Sequence, residues 1–256
     1  MRRFAALIVA IVPLAGCGEG TAPAIVTKPA PAATSQVGYL TPPTVVSARL
    51  GGGQIALTGA APAGARVRLA TPQGEAVFAD ADAKGAWSLA LPPAAEGRIY
   101  GLSATAGPRT VQGEGYLLLT PTGEAVLLRA GAGAVRVGRQ GRSGVDAVDF
   151  DREGGAVVSG RAPAGADLRI HIDGDQTAEG RADAQGRYAV ALPQPISAGE
   201  HKIDVFGDAA ENSVSIDAAA AAPISSGPFR AAAVPGALRI DWMTPGGGVQ
   251  STLLLE

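Results

Sequence analysis

Alternation of apolar and polar residues over short stretches is the main pattern along this chain. Within residues 66–69 two arginines alternate with Val67 and Leu69, and further on Trp87 and Leu89 alternate with small residues. A period of two places successive side chains on opposite faces of a β-strand, one toward a core and one toward water. Beyond residue 17 no stretch keeps apolar residues at helical spacing without glycine or proline. The pattern predicts an all-β protein of short antiparallel strands.

One part of this pattern occurs twice. Residues 58–92 and 159–193 align without a gap, at a constant offset of 101 positions (159 − 58). Glycines, prolines and alternating apolar residues are in phase in the two copies, which indicates one structural unit used twice. The inward-facing residues predicted for the second copy are Val158, Leu168, Ile170, Ile172, Tyr188, Val190, Leu192, Ile203 and Val205.

Turn residues separate the predicted strands. In the first copy they are the A-P-A-G-A run at 61–65, T-P-Q-G at 71–74 and D-A-K-G at 82–85. Proline fixes φ in such turns, glycine accepts a positive φ, and aspartate hydrogen-bonds to nearby backbone. Residues 80–85 superficially resemble a calcium loop but lack its other ligands, so we interpret them as a hairpin turn.

Similar elements follow the two copies. Residues 116–129 and 238–255 each read as strand, T-P-x-G turn and strand, which predicts a β-hairpin appended to each unit. Such a hairpin can extend a sheet of its own module or cover an edge of its neighbour. The triple glycine at 246–248 has no G-K-[ST] sequence, and we interpret it as a wide or bulged turn.

The second copy resembles the bacterial Ig-like domains of surface and envelope proteins. The residues that carry the resemblance are Gly160, Gly165, Asp183, Gly186, Tyr188, Gly199, His201, Ile203, Val205, Asp208 and Asn212. The first copy is similar as far as Trp87 and then diverges, with Tyr100 at the position of His201. The resemblance implies two tandem antiparallel Ig-like β-sandwich modules, each with an appended β-hairpin.

The N-terminus has a separate pattern. Two arginines precede an apolar run at residues 4–15, which is too short to span a bilayer and is typical of a signal peptide. The run ends in L-A-G-C, which resembles the lipobox of bacterial lipoproteins and implies lipidation of Cys17 after cleavage before it. An ordinary signal peptide with an incidental cysteine is the alternative.

The residue after Cys17 bears on which membrane would hold the anchor. In bacterial lipoproteins an aspartate after the lipidated cysteine favours the inner membrane, so Gly18 implies an outer-membrane anchor, facing the periplasm or the cell surface.

These features divide the chain into five segments. Residues 1–16 are the expected signal peptide, and 17–43, rich in alanine and proline, are the lipidated cysteine and a disordered tether. Residues 44–140 are the first Ig-like module with its hairpin, and 141–218 are the second module. Residues 219–256 are a linker and the C-terminal hairpin.

Composition limits the classes of function. The net charge of −2 leaves no basic surface patch for nucleic acid, so we expect no nucleic-acid partner.

The chain has two histidines and one cysteine, so it has few candidate metal ligands of these types. His171 begins an H-I-D-G-D run that reads either as a set of metal ligands or as a polar turn, and the turn is favoured. His201 shares the parity of buried neighbours and is expected to be structural. We predict no metal, no cofactor and no catalytic residue.

The two tryptophans leave a further choice open. Trp87 and Trp242 either form a stacking platform for sugars or pack in the cores, and their parity favours the cores. On the face opposite Trp242, Arg239, Asp241 and Met243 are expected to be exposed.

The sequence therefore favours a non-catalytic envelope lipoprotein that acts as a spacer, scaffold or protein-binding module. It is anchored in the membrane through lipid and has an envelope protein as partner, and we expect no small-molecule ligand. A carbohydrate- or peptidoglycan-binding lipoprotein is the alternative, and it requires exposed aromatic side chains.

Overall fold

The computed structural model describes residues 39–138, 143–207 and 210–256. Its strands all lie in one compact unit, Leu40–Glu256, and no helix occurs in these ranges. All strand pairs are antiparallel. Nothing in the described ranges is a helix long and apolar enough to cross a bilayer. The predicted all-β architecture of tandem Ig-like sandwiches is confirmed.

The first module contains nine strands in two sheets. They are β1 (Thr44–Gly51), β2 (Gln54–Ala60), β3 (Arg66–Ala70), β4 (Ala76–Asp80), β5 (Ala86–Leu91), β6 (Arg98–Ala106), β7 (Arg109–Leu119), β8 (Ala125–Leu128) and β9 (Val135–Arg136). Sheet I has the order β1-β2-β5, and sheet II has the order β4-β3-β6-β7-β8-β9. Their facing side chains form one core, which includes Trp87 and Leu117.

The second module repeats this arrangement and adds to it. Its strands are β10 (Gly144–Asp151), β11 (Ala156–Arg161), β12 (Asp167–Ile172), β13 (Asp175–Arg181), β14 (Arg187–Ala191), β15 (Glu200–Gly207), β16 (Ala210–Asp217), β17 (Phe229–Val234), β18 (Ala237–Met243) and β19 (Val249–Leu255). Sheet III has the order β14-β11-β10-β19-β18-β17, and sheet IV has the order β13-β12-β15-β16. All the inward residues predicted for this copy belong to the core between sheets III and IV or pack against it.

Each T-P-x-G hairpin extends a sheet of its own module, which settles the choice left open by the sequence. The hairpin β7–β8 widens sheet II, whereas β18–β19 adds to sheet III beside β10. A further strand, β17, pairs with β18 and was not expected from the sequence. Residues 246–248 form a bulged turn, as expected. Gly247 N–H donates to the Thr244 carbonyl, Thr244 N–H donates to the Gly248 carbonyl, and Gly247 has φ +83°, which is a type I turn followed by a glycine bulge. Thr120, Gly123 and Glu124 form the same turn in the first hairpin.

The two turns shared most clearly by the copies connect sheets rather than strands of one sheet. Residues 61–65 carry the chain from sheet I to sheet II, and 82–85 carry it back, so the hairpin interpretation of 82–85 was wrong. The turns bond to each other: Ala61 N–H donates to the Gly85 carbonyl over 2.8 Å, and in the second copy Ala162 N–H donates to that of Gly186 over 3.0 Å. Gly85 has φ +82°, and a Cβ there would collide with the Ala61 carbonyl oxygen. The repeated motif therefore closes one end of each sandwich.

Candidate functional site at the module junction

Sheets II and III pack face to face and form a third core between the modules. From sheet II come Ile99, Leu118, Val126 and Leu128, and from sheet III come Ala147, Ile240, Trp242 and Leu254. The Trp242 side chain has no exposed surface, and its ring meets that of Tyr116 edge to face at 6.0 Å. The two appended hairpins supply most of these side chains, so they are the elements that join the modules.

A buried carboxylate lies at the edge of this third core. Asp149 on β10 is 2% exposed. One of its oxygens accepts a hydrogen bond from Ala134 N–H at 2.7 Å, and the other accepts from Gln250 Nε2 at 3.0 Å and from the Thr252 hydroxyl. Burial raises the pKa of Asp149, and the three hydrogen bonds offset this only in part. The side chain thus ties a loop of the first module to two strands of the second.

The loop between β8 and β9 is held by module two at several more points. Gly131 N–H donates to Gln250 Oε1 at 3.2 Å, and the Ser159 hydroxyl donates to the Ala134 carbonyl at 2.9 Å. Arg136 on β9 donates to the Leu255 carbonyl and pairs with Glu124. Apolar packing and these buried bonds together fix the relative orientation of the two modules.

Replacing Asp149 with alanine tests this polar contact. The change leaves the Ala134 N–H buried without an acceptor, because backbone cannot reorient as the Gln250 and Thr252 side chains can. We expect the free energy of unfolding to fall by about 1–3 kcal/mol, measured by denaturant titration. Asp151→Ala, on the same strand but exposed, is the control. Equal losses in both variants would contradict the assignment.

The tryptophans are both buried, as their parity predicted. Trp87 is 3% exposed, in the core between sheets I and II, and Trp242 lies in the third core. Neither side chain is available to stack on a sugar. On the opposite face of β18, Met243 is exposed as expected, at 44%.

The expected exposure of Arg239 and Asp241 was wrong. Asp241 is buried and is bound by Arg239 Nε at 2.9 Å, by Arg230 Nη2 at 2.5 Å and by the Ser251 hydroxyl. Burial raises the pKa of Asp241, but these hydrogen bonds outweigh burial and hold it below the usual value. The guanidinium of Arg239 lies over the ring of Phe150 and donates to the Ala219 carbonyl. This face of β18 is therefore turned toward the core between sheets III and IV, to which Phe150 belongs.

The two histidines occupy separate positions on sheet IV. His171 packs edge to face on Phe206, with ring centroids 4.9 Å apart, and its Nδ1 lies 3.3 Å from the Gly174 carbonyl. His201 is mostly buried, and its Nδ1 lies 2.7 Å from Asp173 Oδ2, which raises the pKa of His201. In the described ranges no three His, Cys, Asp or Glu residues are placed to hold a metal ion.

The D-x-x-G turns use their aspartates for structure. Asp82 Oδ1 accepts from the N–H groups of Lys84 and Ala86, and Asp183 Oδ1 accepts from those of Gln185 and Arg187.

Cys17, the predicted lipidation site, lies outside the described residues, as do residues 1–38 of the expected signal peptide and tether.

Sequence reasoning missed the junction itself. Asp149, Gln250 and Thr252 were not singled out, because isolated polar residues in strands carry no distinctive motif. The apolar half of the junction did leave a signal. Leucine triplets at 117–119 and 253–255 place apolar side chains on both faces of a strand, which is typical of a strand buried on both sides.

Comparison with known proteins bears on the second module. Residues 146–223 match the family model of the bacterial Ig domain. The second module is thus similar to bacterial Ig domains. The first module has the same sheet pairing and the same crossing turns, so the bacterial Ig-like architecture is present in tandem. Domains of this class are typically non-catalytic.

Several solved structures also match, and the two described next are distant. One is titled "Biofilm associated protein - BSP domain", with a TM-score of 0.26, 14% identity, and coverage of 72% of this chain and 30% of that one. The other is titled as a tetra-tandem repeat in the extending region of a large adhesion protein, with a TM-score of 0.21, 13% identity, and coverage of 83% and 62%. The chain spans less than two thirds of either. No curated protein matches the sequence.

Proposed function

We propose that this protein is a lipid-anchored spacer or scaffold of the bacterial envelope, which holds two Ig-like modules in a fixed orientation and presents them to a protein partner. The observation that carries the proposal is the third core. Domains joined through small polar interfaces usually move relative to each other, whereas a large apolar interface restrains them. Here a fully buried tryptophan, four side chains of sheet II and a buried carboxylate join the modules.

The proposed location of the protein at the outer membrane rests on Cys17. Its setting, behind an apolar run and at the end of L-A-G-C, resembles a lipobox, and Gly18 favours the outer membrane. Several acyl chains on one residue give stable anchoring, where a single chain is marginal. Binding of carbohydrate or peptidoglycan through stacked aromatic rings has less support, because both tryptophans are buried.

Replacing Cys17 with serine removes the proposed site of lipidation. We expect the variant to lose incorporation of labelled fatty acid and to move from the membrane fraction to the soluble fraction of lysed cells. Gly18→Asp is the matched control: it keeps the cysteine, should stay lipidated, and should shift toward inner-membrane fractions. Membrane association that persists in Cys17→Ser would refute the anchor.

A further inference from the structure

Arginine side chains from both modules line one cavity at the junction. The cavity measures about 260 Å³, and Arg129 reaches it from the loop after β8, while Arg161 and Arg187 reach it from β11 and β14. The same three residues line an adjoining groove of about 640 Å³. The cavity is therefore complete only when the two modules are docked.

Two of these arginines stand directly opposite each other. Arg161 pairs with Arg187 across β11 and β14. Like charges at directly opposed positions destabilise a sheet. At the equivalent position of the first copy, Ala60 pairs with Ala86. Since the first module forms the same strand pair with two alanines, the fold does not require the arginines.

The nearby carboxylates neutralise this charge only in part. Arg187 pairs with Asp183 at 3.0 Å, and Arg161 Nε lies 3.8 Å from Asp146 Oδ2. Arg161 Nε is buried and has no hydrogen-bond partner among the described residues. Four arginines and two aspartates line the cavity, and the fourth, Arg181, lies 3.4 Å from the carboxylate of Asp167.

Arg129 brings a third positive charge into this partly buried setting. Its Nε and Nη2 donate to the carbonyls of Gly133 and Ala132, at 2.9 and 2.8 Å, which holds the side chain in place. Burial lowers the pKa of Arg129; Glu114 opposes this, and the charge of Arg187 adds to it. An anion in the cavity would relieve the repulsion among the three guanidinium groups.

We propose that this cavity binds an oxyanion, the phosphate or carboxylate group of a small molecule or sugar acid. The planar fork of a guanidinium matches both groups with paired N–H donors. The cavity has room for such a group and for part of its carrier, and the adjoining groove leaves room for the rest. This departs from the sequence-based expectation of no small-molecule ligand, and it does not depend on the lipid anchor.

The test is a titration of the purified full-length protein in detergent, with inorganic phosphate and with glucuronate in separate arms, followed by calorimetry. We expect at least one probe to bind, and to bind more weakly as ionic strength rises. The double variant Arg161→Ala/Arg187→Ala, which installs the residues of the first copy, should lose at least about tenfold in affinity. Arg68→Ala, on an exposed strand position of the first module, is the control and should bind as the wild type does.

Thermal unfolding of the unliganded proteins separates a binding role from a structural one. Because a like-charge pair is removed, the double variant should unfold at the same temperature as the wild type or higher. Binding of phosphate alone would indicate a phosphate-bearing ligand, and binding of glucuronate a sugar acid; both support the site. The proposal is overturned if neither probe binds, if the double variant binds as well as the wild type, or if it loses stability together with binding.

Discussion

Replacing Trp242 with alanine is expected to lower the free energy of unfolding by about 3–5 kcal/mol, the usual cost of truncating a fully buried tryptophan. The indole has no exposed surface and meets Tyr116 of the first module, and its Nε1 donates to Thr252 at 3.2 Å. The packing that this substitution removes lies between the two modules. We therefore expect denaturant unfolding monitored by circular dichroism to change from one transition to two as the modules uncouple.

The adjacent residue gives the control for this experiment. Met243 is 44% exposed on the same strand, and Met243→Ala should change the free energy of unfolding by less than about 0.5 kcal/mol. If Trp242→Ala behaves like Met243→Ala, the third core does not join the modules, and the rigid scaffold proposed above fails with it.

The second large effect is expected for Trp87→Ala, also about 3–5 kcal/mol, measured by the same titration. The indole lies across Gly59, its partner on the neighbouring strand, where any Cβ would collide with the ring. Its Nε1 is buried without a hydrogen-bond partner in the described part of the chain, so the contribution comes from packing. A change near zero would show that the core between sheets I and II is not packed around this ring.

The equivalent residue in the second copy of the repeat suggests a control for the Trp87 experiment. Tyr188 occupies the equivalent position across Gly160, and its hydroxyl donates to the Gly144 carbonyl at 3.0 Å. A Cβ at Gly59 would meet the Thr44 carbonyl oxygen, as one at Gly160 would meet that of Gly144. A tyrosine at 87 thus has an acceptor available, and Trp87→Tyr should cost clearly less than Trp87→Ala.

Local features of the sequence predicted most of each sandwich. The period of two assigned Trp87 and Tyr188 to the cores because one face of each strand is buried and the other is wet. The repeat located both modules, and the turn residues located most strand ends. In the D-x-x-G turns the roles of aspartate and glycine were correct, but the connection was not: the same turn chemistry serves a hairpin or a crossing between sheets.

The same reasoning could not predict which strands far apart in the sequence pair with each other. Strand β19 pairs with β10, and no local pattern specifies which of several exposed edges a hairpin joins. The error at Arg239 and Asp241 has a related cause. Their alternation with Ile240 and Trp242 correctly placed them on the opposite face, but that face is turned toward sheet IV, and Arg239 there contacts Phe150 and the Ala219 carbonyl rather than water alone. The sequence likewise could not show that Arg161 and Arg187 lie opposite each other, because this follows from the register of β11 and β14.

The position of strand β19 has a consequence for the order in which the chain folds. This strand lies between β10 and β18 in sheet III, and its leucines enter two cores. A chain that emerges N-terminus first can complete sheets I and II early and can pair β10 with β11, but the other edge of β10 pairs only with β19, about a hundred residues later. During that interval an apolar strand edge is open to aggregation, since contacts of high sequence separation form slowly. If the protein is exported as proposed above, we expect the second module to need chaperones until residue 255 has left the membrane.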